Sequence, residues 1–368
     1  MTTLTRDIRD AFDWPLFVVV AAIALVGVVN LYSATSAMPP QLRDIYIQQI
    51  YWLTLGAGVA VLVASIDYRY YERYAWVAYG AGIVLLALVF LLGREVRGSQ
   101  RWIPIGSFSL QPSELMKVFF ILALAKHLHD DPRTEGRTLK DLIIPGLILA
   151  LPLVLILAQP DLGTALIIAA IFGSIMFLTH LKLRSFVTLV VSFLVSAPLT
   201  WRYLLKDYQR ERLVAFLDPE NDILGKGWHA YQAKVAIGSG GLTGKGFLQG
   251  TQVQHRFLPD AHSDFPFSVW AEEQGFIGSM ILVLLYTALV LWGLKIASEA
   301  KDRFGAVVAV GVSALVFWQT VINLGMVCGL LPVVGITLPL VSYGGSSVLT
   351  VMVGIGLLMN ISMRRFAY

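Results

Sequence analysis

Asp264 is the residue best placed in this chain to move a proton. It closes the run Arg256-Phe-Leu-Pro-Asp-Ala-His262-Ser-Asp264-Phe-Pro-Phe267, the end of a polar stretch over 201–267 held between apolar segments. A carboxylate at a membrane interface, backed by aromatic rings, is partly desolvated. Desolvation raises a carboxyl pKa toward general-base values, and nearby cations lower it. From composition alone the same aspartate also suits a helix N-terminus or a proton-coupling site, and Glu272 and Glu273 share that ambiguity. The stretch supplies cations, Arg210, Arg212, Lys226, Lys234 and Lys245, that suit either an acidic substrate or a solvated loop surface.

Other polar motifs interrupt apolar sequence. In Gln111-Pro-Ser-Glu-Leu-Met-Lys117, Ser113 is a good helix N-cap behind Pro112. Glu114 and Lys117 then share one helical face, as a structural ion pair or as the wall of a cavity for a charged substrate. Asp161, in Gln159-Pro-Asp-Leu-Gly-Thr164, has the same design, with Thr164 near the third helical position. Ser342-Tyr-Gly-Gly-Ser-Ser347 opens a helix, where free N–H groups suit an anion and glycines suit close packing. The run Gly238-Ser-Gly-Gly-Leu-Thr-Gly-Lys-Gly246 only imitates a nucleotide loop. Ser239 stands where a glycine belongs, and Gly246 replaces the hydroxyl that would hold magnesium.

The elements that must position these residues are membrane spans. The chain has 368 residues, 57% of them hydrophobic and only 14% charged, whereas soluble domains carry about 25% charge. Ten apolar runs have spanning length, at roughly 15–34, 50–66, 74–93, 113–129, 142–159, 162–181, 185–200, 268–294, 305–327 and 345–363. The stretch 328–344 reads as a loop or a re-entrant segment. A single cysteine, Cys328, excludes an internal disulfide and a multi-cysteine metal site. Residues 1–14 read as a cytoplasmic cap rather than a signal peptide. With the N-terminus inside, inner segments hold 15 Lys and Arg and the short outer ones hold 4. Both termini are then expected inside, the polar motifs outside, and 201–267 is long enough to escape the rule. ATP is absent on that face, so the substrate or a gradient must supply the energy.

These motifs together resemble the SEDS family (shape, elongation, division and sporulation) of polytopic peptidoglycan glycosyltransferases. The matching pieces are Gly98-Ser-Gln-Arg-Trp-Ile-Pro104, Gln111-Pro-Ser-Glu114, Gln159-Pro-Asp-Leu-Gly-Thr164, Arg212-Leu-Val-Ala-Phe-Leu-Asp-Pro219, Ala236-Ile-Gly-Ser-Gly-Gly241, Phe257-Leu-Pro-Asp-Ala-His-Ser-Asp-Phe265 and Pro339-Leu-Val-Ser-Tyr-Gly-Gly-Ser346. Gly244-Lys-Gly246 with Gly250-Thr-Gln252 and the short termini are similar to the elongation branch, with the division branch as runner-up. Asp260, Ser263 and Pro266 depart mildly from the family pattern.

The resemblance implies an all-α polytopic membrane protein of ten transmembrane helices, a single domain over 1–368. It implies a bacterial inner-membrane enzyme that polymerises lipid II, with Asp264 as catalytic base. Arg101, Lys117, Arg210 and Lys234 are then candidates to meet the pyrophosphate, and Trp102 to stack on a sugar or brace a lipid groove. Gln159, His262 and Ser342 complete the candidate substrate site. Glu114 and Asp161 would orient those cations or, with Asp264, ligate a divalent cation (Mg or Mn); no nucleotide is expected. Implied partners are lipid II and the growing lipid-linked glycan, a class B penicillin-binding transpeptidase on the eighth and ninth spans, and other elongation-complex proteins, but no nucleic acid. The rival reading is a flippase of the lipid-linked precursor. Against it stand charges clustered at the outer face rather than at the midplane, no matching inner motif and no clear internal repeat.

Overall fold

Asp13 starts the first helix: its carboxylate accepts the Leu16 amide at 3.2 Å, and Pro15 follows inside the first turn. The computed structural model describes residues 12–96, 99–106, 108–131, 137–178, 228–255, 257–258 and 260–365, and between 179 and 227 only residues 182, 184, 185, 187, 188, 191, 195 and 210. Its long helices are α1 (Trp14–Ser36), α2 (Ile45–Ser65), α3 (Ala75–Leu92), α4 (Pro112–Asp130), α5 (Ile143–Ala158), α6 (Leu162–Leu178), α7 (Trp228–Ser239), α8 (Pro266–Ser298), α9 (Arg303–Val327) and α10 (Gly345–Arg364). Seven described segments are long and apolar enough to cross a membrane: α1, α2, α3, Leu139–Ala158, α8, α9 and α10. The more polar α4 and the shorter α6 occupy two further expected spans, while α7 belongs to the polar stretch. The expected seventh span, 185–200, lies largely outside the described residues, as do Arg212, Lys226, Arg256 and most of 201–227.

The protein is an all-α polytopic membrane protein with one local exception. Between α3 and α4 the chain forms a small antiparallel meander of β1 (Arg94–Val96), β2 (Ser99–Ile105) and β3 (Phe108–Leu110). Hydrophobicity did not announce it, because its strands are too short for a clear alternation.

Helices α4, α9 and α10 form the centre, with Phe120, Leu124, Val308, Leu315, Val351 and Leu358 buried among them. Helices α2 and α10 approach closely through small residues: a side chain at Gly56 would run into Met352, and one at Gly356 into the Ala60 backbone. The outer helices leave large apolar side chains exposed, among them Leu25, Val61, Leu91 and Leu284, as a lipid-facing surface requires.

Residues 328–344 make no helix, yet Val334, Ile336, Leu338, Leu340 and Val341 are buried. Backbone at such depth must have its carbonyls satisfied by protein. Amide and hydroxyl side chains from the spans do this. Gln49 of α2 donates to the Leu340 and Ser342 carbonyls at 3.2 Å each, and Tyr286 of α8 to Pro339 at 2.6 Å. Asn323 of α9 donates to Ile336 at 2.7 Å. Gly27 of α1 lets the loop lie against that helix at Leu340 and Val341. The segment is therefore packed into the bundle.

Candidate functional site

Asp264 ends a tight turn whose amide closes back on the Asp260 carbonyl at 3.1 Å. Pro266 then occupies the first position of α8, where its fixed φ suits the helix and its missing N–H costs nothing. The family departure at 266 thus starts the helix directly after the aspartate. Phe265 and Phe267 are buried while Asp264 keeps partial exposure. The Asp264 carbonyl accepts from Asn323 at 3.1 Å. Across from its carboxylate lies Gly335, in the left-handed region at φ 72°; a methyl there would stand 3.8 Å from Oδ2. His262, two residues before Asp264, also contacts the inserted loop. The His262 carbonyl accepts the Tyr343 amide at 2.9 Å, and their rings lie 6.3 Å apart.

A second cluster, built on Asp161, also meets that loop. Gly163, just inside α6, would need 3.0 Å of contact with the Val334 carbonyl if it carried a side chain, so α6 abuts 334–336 directly. Asp161 is 3% exposed and caps α6 through the Thr164 amide at 3.3 Å and hydroxyl at 2.9 Å. Gln111 and Ser113 donate to its Oδ2 at 2.9 and 3.1 Å. Arg101 of β2 sits 3.5 Å from Oδ1 and also donates to the carbonyls of Gln159, at 3.3 Å, and Pro160. Gln159 is buried and donates to Leu86 at 2.8 Å. Arg101, Gln159 and Asp161 are thus one cluster. Trp102 follows Arg101 on the strand and is half-buried; alternation turns it away from Asp161. Ser113 is not the N-cap: Gln111 holds that position, Pro112 begins α4, and the Ser113 hydroxyl serves Asp161 instead.

Glu114 and Lys117 form a buried ion pair at 2.7 Å one turn into α4. Lys117 is 1% exposed, and the second Glu114 oxygen, Oε2, is buried without a hydrogen-bond partner among the described residues. Ser342 is also interior: its hydroxyl accepts the Leu338 amide at 2.8 Å and staples the inserted loop. Lys234 is exposed on α7 and lays its aliphatic end over Gly329, a glycine at φ 69° in the turn that starts the inserted loop. The nearby Cys328 thiol is pushed up by burial and held back in part by the Lys234 charge. Arg210 is half-buried at an isolated described position. So Asp264, His262 and Lys234 share contact with the inserted loop, while Arg101, Gln159 and Asp161 form one cluster next to α6.

A third polar cluster lies at Glu272 and Glu273. α8 is broken there at Gly275 (φ 63°, ψ −159°). The run 240–246 heals the break. Lys245 and Gly246 amides donate to the Glu272 and Glu273 carbonyls at 3.0 Å each, and the Gly241 and Leu242 carbonyls accept Phe276 and Ile277 at 2.9 and 3.1 Å. Gly244 must be glycine because any side chain would strike the Glu273 carbonyl. The glycine run that imitates a nucleotide loop is therefore a backbone splice. Buried Glu272 accepts Lys245 Nζ at 2.6 Å and the Thr251 hydroxyl at 2.9 Å, and Glu273 accepts the Ser33 hydroxyl from α1. Sequence marked these residues but gave no signal of a helix break.

The proposed trio of metal ligands is not gathered. The Asp161 oxygens are committed to Gln111, Ser113, Thr164 and Arg101, and Glu114 to Lys117. Among the described residues no group of three His, Cys, Asp or Glu comes together as a metal site.

Comparison with known proteins bears on what this face does. Residues 13–366 match the family model for FtsW, RodA and SpoVE, described as cell cycle protein. The chain is 40% identical over 355 residues to the peptidoglycan glycosyltransferase MrdB of Escherichia coli K12, covering 96% of this chain and 94% of that one. It superposes on a chain from a solved peptidoglycan synthase complex that coordinates polymerization and crosslinking with TM-score 0.83 at 35% identity, covering 97% of this chain and 99% of that one. The crystal structure of the rod shape determining protein RodA of Thermus thermophilus gives TM-score 0.73 at 32% identity, over 97% of this chain and 98% of that one.

Proposed function

The chain belongs to the FtsW/RodA/SpoVE family, and from that premise we infer a peptidoglycan glycosyltransferase of the RodA type that polymerises lipid II into glycan strands during cell elongation. The observation that carries the site is Asp264. It is the carboxylate held by its backbone on both sides, at the mouth of a span, with its side chain toward a glycine wall.

The reaction follows from that placement. Asp264 accepts the proton of the acceptor sugar's 4-hydroxyl as that oxygen attacks the donor's anomeric carbon. The bond from that carbon to the pyrophosphate oxygen breaks, the configuration inverts from α to β, and the lipid pyrophosphate leaves with the bonding electrons. The logic matches an inverting glycosidase, with a sugar hydroxyl in place of water. A positioned base contributes roughly 10²–10⁴-fold.

Developing charge on the leaving group calls for fixed cations. Lys234 is exposed beside the inserted loop and Arg101 keeps part of its side chain open, so these two are the candidates, with Arg210. Lys117 is interior and paired with Glu114, so any part it plays runs through that carboxylate. Trp102, on the central strand of the meander, stacks on a sugar or braces the lipid. No step is assigned to a divalent cation. The orientation that suits this chemistry puts both termini in the cytoplasm and the motifs outside, as the Lys and Arg bias of the loops supports.

A class B transpeptidase is the proposed partner, its single helix packing on α8 and α9. An apolar cleft of about 420 Å³ lined by Val283, Thr287, Leu291, Val310 and Phe317 supports that surface, together with exposed Ile277, Ile281 and Leu284.

The test is direct. Purified protein, alone and with a class B transpeptidase, is incubated with labelled lipid II and run on a gel, beside Asp264→Ala and chelator lanes. The expected result is a glycan ladder that the mutant loses. A ladder from folded Asp264→Ala would end the base assignment. No ladder in any lane would turn attention to lipid II translocation in vesicles. Loss on chelation alone would require a metal role that these residues do not provide among themselves.

A further inference from the structure

Asn323 stands in the last turns of α9 and is fully buried. A buried amide in a span is costly unless its hydrogens find acceptors. Its Nδ2 carries two hydrogens, and two carbonyls receive them: Asp264 at 3.1 Å and Ile336 at 2.7 Å. Neither carbonyl lies in a helix or a strand. One belongs to the residue that carries the carboxylate. The other belongs to the wall that the carboxylate faces, since Gly335 next to Ile336 lies opposite Asp264 Oδ2.

We propose that Asn323 is a positioning residue for Asp264: one amide ties the aspartate's turn to the 334–336 wall and so fixes the gap in which the acceptor hydroxyl must sit. The proposal rests on the reading of Asp264 as base. The Asp264 amide is already fixed by the Asp260 carbonyl. Asn323 fixes the other end of the same residue. Without it the 2.9 Å bond from the Tyr343 amide to the His262 carbonyl still holds the turn to the far end of the loop, but the aspartate's own carbonyl loses its tie to the 334–336 wall, and proton transfer needs that gap set to a fraction of an ångström. The effect should fall on turnover rather than on substrate affinity, because Asn323 is too deeply buried to touch the substrate.

The experiment measures initial rates of labelled lipid II polymerisation by the full-length protein with its transpeptidase partner. Asn323→Leu keeps the volume and removes both donors; Asn323→Asp keeps the shape and replaces the donor with an acceptor. Both should lower kcat by about 100-fold, the order expected of a misplacement near 1 Å, with KM for lipid II within about twofold. Thermal unfolding in detergent, measured alongside, normalises the rates to folded protein. A kcat per folded molecule equal to wild type in either variant overturns the proposal. So does a loss carried by KM alone. Asp264→Ala separates the two readings: its retained activity would end the base assignment and this proposal with it. An inactive Asp264→Ala beside a fully active Asn323→Leu would end the positioning role only.

Discussion

Asp161 and Asp264 read alike in sequence: each follows a proline-containing motif and precedes a span. The structure gives them opposite tasks. Around Asp161 the donors converge on the carboxylate itself, from Thr164, Gln111, Ser113 and Arg101, drawn from α6, α4, the residue before it and β2. Around Asp264 the bonds described fall on the backbone, at the amide and at the carbonyl, while the side chain faces Gly335 and keeps partial exposure. A carboxylate that holds three chain segments cannot easily take up a proton or a substrate. Asp264 is fixed through its backbone and keeps partial exposure, as a proton acceptor at a substrate site requires.

The largest expected effect tests that contrast from the Asp264 side. Asp264→Ala should lower lipid II polymerisation by about 10²–10⁴-fold or more and leave the unfolding temperature in detergent near wild type. A clear fall in that temperature would make Asp264 a structural residue like its counterpart.

Asp161→Ala should do the reverse. It removes a buried acceptor from four side chains and strands Arg101, so a loss of stability of about 3–5 kcal/mol is expected. The readout is a lowered unfolding temperature and a lower folded yield. Activity per folded molecule should survive far better than in Asp264→Ala. Equal loss in both, with intact folding, would place the two aspartates in the same chemistry.

The buried Glu114–Lys117 pair of α4 gives a smaller and more selective effect. Glu114→Gln or Lys117→Met alone leaves an uncompensated charge and should destabilise by about 3–5 kcal/mol. The double variant should recover much of that loss. Recovery of stability without activity would give the pair a part in the reaction beyond locking α4. Recovery of both would leave it structural.

The contrast also marks what sequence could carry. Spans follow from length and apolarity, and nine of the ten expected runs coincide with described helices; the 185–200 run lies largely outside the described residues. The motif residues were legible because polar groups inside a span need a reason to be there. Their partners were not, because Asp161 meets Gln111 and Ser113 across some fifty positions, and a single sequence carries no sign of that pairing. Ser113 illustrates the loss: its type and its place before an apolar run suggested a cap, and tertiary contact with Asp161 won. The meander over 94–110 and the break at Gly275 were hidden for a related reason. Each is defined by backbone hydrogen bonds to another segment, not by a local pattern. Asn323 passed unnoticed as one polar residue in a long apolar helix.

The smallest prediction asks whether Lys234 belongs on the Asp264 side of the inserted loop. Burial raises the Cys328 thiol pKa, and the Lys234 ammonium partly offsets it. The thiolate is the species that alkylates. Removing the ammonium in Lys234→Met should raise the thiol further, leave less thiolate at a fixed mildly alkaline pH and slow maleimide labelling of Cys328 by a few fold. Raising the pH should restore the rate, since more of the thiol then ionises. Lys234→Arg should label close to wild type because the positive charge remains. An unchanged rate in Lys234→Met would mean that the lysine does not rest over the 328–329 turn, and it would then lose its claim as a cation of the site.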